Sequence, residues 1–194
     1  LSNNIAKHIY ESHVKTKYHK LELSDSGKHL AFVVDTDSTK AYERNNEIYT
    51  WNKKNDLKLI LDRNSSPNGY LVSSDGQINF SDDETKLYFG LALPEIYQDT
   101  LLLKDEIVDV EVWTYDEPRL YTIQEMQLNN DRKKSFKSVY HINDKKVIQI
   151  ATKEFPNSIT SENGNNKYAL ISNPEPYQLS SQSVSYTHLT LPTK

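Results

Sequence analysis

The stretch FSDDETKLYFGLA, Phe80–Ala92, decides how this chain is read. Its polar half supplies a turn, and its apolar half is a short strand. LSDSGKHLAFVVD, Leu23–Asp35, has the same order upstream, and TSENGNNKYALIS, Thr160–Ser172, is a weaker third copy. In each copy Asp, Asn or Gly accepts the turn geometry before an alternating segment pairs into a sheet.

A second type of segment lies downstream of the first two turns. EIYTWNKKNDLKLIL, Glu47–Leu61, and SVYHINDKKVIQIA, Ser138–Ala151, each place two apolar-alternating strands around a polar turn. Both read as β-hairpins. Turn-strand followed by hairpin, repeated in that order, is the pattern of four-stranded β-propeller blades; an antiparallel sandwich is the competing arrangement. The marker residues Ser24, Ser81 and Ser161 lie 57 and 80 residues apart. Regular blades repeat every ~40–50 residues, so long inserted loops or an unmatched strand pair must fill the difference. The expectation is an all-β chain. Residues 23–183 form a partial β-propeller, an open arc of about two to three four-stranded antiparallel blades. Residues 1–22 are a loop or the trailing strand of a preceding blade.

Composition narrows the function. The 194 residues carry a net charge of −4 with mixed signs, which leaves no basic footprint for nucleic acid. No apolar run approaches the ~20 residues of a membrane helix. With no cysteine, disulfides, thiolate nucleophiles and sulfur-ligated metals are excluded. His8, His13 and His19 are five and six residues apart, which fits no zinc spacing. Neither a metal nor a cofactor is expected. The chain opens on Leu1 rather than Met, so a missing N-terminus is expected as well.

One segment carries a resemblance. FGLALPE, then DEIVDVEVWTYDEPRLYTIQ, then NNDRKKSFKSVYHINDKKVIQIA resembles the N-terminal β-propeller of bacterial peptidases of the prolyl oligopeptidase family. In one branch of that family a strand ending in Trp is followed by an aromatic, Asp-Pro-Arg-Leu and a Gln. Trp113, Tyr115, Pro118, Arg119, Leu120 and Gln124 match in register, with Glu117 in place of the Asp. Phe89-Gly90, Asp131-Arg132 and Val139-Tyr140 also fit, and the likeness spans residues 23–172. The resemblance implies a serine peptidase in which the propeller restricts peptide access to an α/β-hydrolase domain. It also leans towards a periplasmic or secreted enzyme.

The nucleophile of such an enzyme sits in Gly-x-Ser-x-Gly. Five glycines occur here and no pair brackets a Ser at that spacing. No catalytic residue is therefore expected in this chain; the hydrolase domain and the peptide are its expected partners. Glu106 and Glu111 belong to an acidic cluster, Asp105–Glu111, in which Asp109 and Glu111 share one strand face and the valines the other. They read either as a solvated face or as a carboxylate lip for a substrate amino terminus. Arg119 reads either as a structural ion-pair partner, flanked by Asp116 and Glu117, or as a contact for a substrate carboxylate. A non-enzymatic periplasmic-type propeller that recruits proteins or glycans shares the turn-strand pattern, but lacks the Trp-to-Gln stretch.

The tail SVSYTHLTLPTK, Ser183–Lys194, has no Asp or Glu, and its one charged side chain is the terminal Lys. Residues 184–193 match the in-frame translation of a transposase-type sequencing adapter. Residues 184–194 are accordingly expected not to be native, and the rival reading is a natural β-strand.

Overall fold

The computed structural model describes residues 8–11, 16–37, 44–54, 56–95, 114 and 117–178. They form a β-rich, partly propeller-like fold of antiparallel sheets. The first sheet is a meander of β1 (Lys17–Leu23), β2 (His29–Asp35), β3 (Asn46–Asn52) and β4 (Lys58–Leu61). In the second, β7 (Lys86–Ala92), β8 (Phe136–His141) and β9 (Lys146–Gln149) follow an interrupted first strand. Its two pieces, β5 (Leu71–Val72) and β6 (Asn79–Phe80), both pair with β7. A third, two-stranded sheet joins β10 (Asn157–Ile159) to β11 (Leu170–Ser172).

The three turn-strand copies are therefore the link between the first and second strands of three successive units, and the two hairpins are β3–β4 and β8–β9. The long spacing between Ser81 and Ser161 also has its cause. Residues 93–135 run between β7 and β8 and carry the helix α1 (Tyr121–Arg132).

The turns are alike in detail. Ser24, Ser81 and Ser161 each accept, through the backbone carbonyl, the N–H of the residue three positions on: Gly27 at 2.7 Å, Glu84 at 2.8 Å and Gly164 at 3.0 Å. That residue has a left-handed φ each time: 65° at Gly27, 54° at Glu84 and 70° at Gly164. Glycine takes this conformation freely, whereas glutamate takes it under strain. What holds Glu84 there is visible in its side chain. The carboxylate accepts from the Ser26 backbone N–H at 2.8 Å and from the Ser26 hydroxyl at 2.7 Å, stitching the first turn to the second. These bonds hold the Glu84 carboxyl below the usual range. A depressed folded-state pKa contributes stability that is present above the unfolded value and lost as pH falls below it. Acidification below about pH 4 should therefore weaken the chain. In Glu84→Gln the denaturation midpoint should fall less steeply over that window; an unchanged acid slope would refute the assignment.

The core lies between the first two sheets. Ala31, Val33 and Ile48 from one side meet Leu87, Phe89 and Leu91 from the other. Each of these buried Val, Ile, Leu and Phe side chains contributes about 1.5–3 kcal/mol. On β7 the odd positions face the first sheet while Lys86 and Tyr88 reach the third unit. Because β7 is covered on both faces, it reads as a continuous apolar run rather than a strict alternation. On β2, Phe32 faces the opposite way and stacks on Tyr49 at 5.7 Å, with Tyr10 edge-on to it at 5.6 Å.

Two expectations need correction. Residues 17–22 are not part of a loop or of a preceding blade: β1 is the edge strand of the first sheet and pairs with β2 from Lys17 to Leu23. A register shift between His19 and Leu21, with Lys20 at a φ of 29°, breaks its alternation and hid it. The chain is also not purely β. Tyr121–Arg132 form a helix with no buried residue, so it shows no apolar stripe to read. Gln, Glu, Met and Leu supply good helix formers there.

Candidate functional site

The first strand of each unit runs along one rim of the fold. Among the described residues β1 and β10 are edge strands, and β6 pairs with β7 alone. Two hollows follow this rim. One, of about 490 Å³, is lined by Lys20, Glu22, Ile78 and Glu162; the other, of about 590 Å³, by Asn157, Ser158 and Ile159. They share Gln77, Asn79, Tyr88 and Lys137 as a common wall. Residues 20–22, 77–79 and 157–159 all stand four to two positions before the Ser of their own turn. The repeat therefore places the same segment of each unit on a single groove.

The groove is polar and of mixed sign. Lys20 and Lys137 stand with Glu22 and Glu162, and the amide side chains of Gln77 and Asn79 lie between them. Lys137 Nζ donates to the Thr160 hydroxyl at 3.3 Å, bridging the second and third units. The Tyr88 hydroxyl donates to the Gly164 carbonyl at 2.7 Å; burial, with the nearby Asp83 charge, pushes its pKa up. It serves as a fixed donor rather than an acid or base. Backbone edges and amide side chains of this kind can hold an extended polar chain through hydrogen bonds. No group of three or more His, Cys, Asp or Glu among the described residues could hold a metal ion. No helix among them is long and apolar enough to cross a membrane.

The residues singled out from sequence fall elsewhere. Glu106, Glu111, Trp113 and Tyr115 lie outside the described residues, as does the 184–194 tail. Pro118, Arg119 and Leu120 form the approach to α1, and Leu120 caps it. Arg119 uses its guanidinium on that same helix, donating to Gln127 Oε1 at 2.8 Å and to Asp131 Oδ2 at 2.7 Å. Gln124 Nε2 returns a bond to the Arg119 carbonyl at 2.8 Å. The matched residues Arg119, Gln124 and Asp131 thus form one small network that clasps the helix to its entry. The rim groove escaped the sequence reading. Its signal was available in the fixed offset from Ser24, Ser81 and Ser161.

No protein-family model, curated protein or solved structure matches the chain.

Proposed function

We propose that this chain is the non-catalytic β-propeller portion of a serine peptidase similar to the prolyl oligopeptidase family. On this reading it is an open arc, with two blades and the start of a third, that gates peptide access to an α/β-hydrolase domain outside these 194 residues. The observation that carries the reading is the serial stacking of three like units. Each turn is bonded to the next: Ser26 to Glu84, then the Asp82 N–H to the Asn163 carbonyl at 3.0 Å. All three first strands then meet on one polar groove, as propeller blades do around their axis. The resemblance of the Trp113-to-Gln124 stretch supplies the peptidase half of the proposal.

A stand-alone interaction propeller is the second reading. It is favoured by the mixed-sign, amide-rich groove, which suits a protein or glycan surface as well as a passing peptide. Treating the full-length gene product with a fluorophosphonate probe separates the two, because only an activated serine forms the covalent adduct. Labelling of a serine in a downstream Gly-x-Ser-x-Gly is expected. A full-length protein that lacks this motif and stays unlabelled would overturn the peptidase reading.

A further inference from the structure

Away from the rim, the seam between the first two sheets opens into a hollow of about 200 Å³. Its floor is made of strand ends. Asn46 opens β3, Leu71 and Val72 are β5, and Ala92 closes β7. Its walls carry both signs of charge, with Arg44 and Arg132 on one hand and Asp75 and Glu95 on the other.

Several of these groups are held by bonds of their own. Arg44 pairs with Asp35 at 3.1 Å, and the Asp35 side chain is only 4% exposed. Asn46 Nδ2 donates across the seam to the Val72 carbonyl at 3.0 Å, while its buried Oδ1 has no protein donor. The Ser73 hydroxyl accepts from the N–H groups of Asp75 at 3.2 Å and Gly76 at 3.0 Å, which fixes the loop that carries Asp75. Arg44, Asn46 and the backbone that carries Asp75 are therefore held in place, which lowers the ordering cost when a ligand enters.

The adjoining hydrophobic cluster fills its part of the seam with side chains such as Val33, Ile48 and Leu91. A hollow that instead gathers two guanidinium and two carboxylate groups is built for a ligand that carries both charges. Its size falls below the ~300–1,000 Å³ of ordinary ligand pockets, which selects a small one. We propose that this hollow binds a small zwitterion, a free amino acid or dipeptide. The ligand carboxylate lies towards Arg132 and Arg44, and its ammonium towards Asp75 and Glu95. This assignment does not rest on the peptidase reading, and it would stand in an interaction propeller as well.

Titrating L-leucine into the ¹⁵N-labelled 194-residue chain tests it, with N-acetylleucine and leucinamide as probes that lack one charge each. Saturable shifts are expected at the Asn46 side-chain amide and at the backbone amides of Ala92, Leu93 and Glu95, with Kd of about millimolar order for a ligand of this size. Each singly charged probe should bind at least about tenfold more weakly, since one charge-assisted contact is lost. Arg132→Gln, on the exposed face of a helix, should weaken leucine to a similar degree and leave other resonances in place. Equal binding of the three probes, shifts confined to other residues, or no shift up to about 50 mM leucine would each overturn the proposal.

Discussion

Replacing Lys86 with Met is expected to release the third unit from the second while the first sheet stays folded. Lys86 is 7% exposed. Its ammonium donates to three backbone carbonyls of the third turn: Gly164 at 3.3 Å, Asn165 at 2.7 Å and Asn166 at 2.8 Å. Methionine keeps the unbranched stem and removes the charge. Three charge-assisted bonds disappear, and the carbonyls lose the donor that replaced water. The cost of burying the cation disappears too, which offsets part of the loss. The net destabilisation should be about 2–3 kcal/mol. Hydrogen exchange locates it: amides of β10 and β11 should lose protection while those of β2 and β3 keep theirs. A variant with native protection across 157–172 would show that the ammonium is not what docks the third unit.

The Lys86 contact also shows where sequence reading stops. The turn-strand order was legible because turn chemistry and alternation are local, and the three Ser-led turns do share one geometry. What each unit does to the next was not. Lys86 stands five residues after Ser81, and the same offset from Ser24 gives His29, whose ring meets Phe80 of the second unit at 6.0 Å. A lysine at the end of a polar turn reads as solvated, and only the third unit seated above it makes it a clasp. Glu84 conceals the likeness of the turns in another way, holding with two hydrogen bonds a conformation the other two turns give to glycine. For Arg119 the local carboxylates Asp116 and Glu117 were the natural partners by sequence. A helix without a buried stripe brought Asp131, twelve residues on, to its guanidinium instead. The candidate groove depends on three edge strands, one concealed by a bulge and another split in two, and no single window of sequence contains it.

Gly90→Ala is expected to be the most damaging one-carbon change in the second sheet. A Cβ built on Gly90 would stand 2.8 Å from the Gly76 Cα and 2.9 Å from the Ser135 Cβ. The first of these is backbone, which cannot swing aside as a long side chain can. The crossing occurs where the first strand of the sheet is interrupted, between β5 and β6. There the Ser73 N–H still donates to the Gly90 carbonyl at 3.0 Å, tying the loop down beside the contact. Accommodating the methyl group means lifting residues 73–78 off β7, with loss of pairing at both short strands. Overpacking of this kind costs about 2–3 kcal/mol, and for a chain of this length Tm should fall by roughly 4–12 °C. Gly76→Ala adds its methyl to the same crossing from the other side, meeting the Gly90 Cα at 2.7 Å. Once either methyl has forced the two backbones apart, the second meets less resistance, so the double variant should cost less than the sum of the singles. Additive losses would mean that the two glycines act at separate places. A Gly90→Ala chain with unchanged Tm would mean that the interrupted strand is already free to move away from β7.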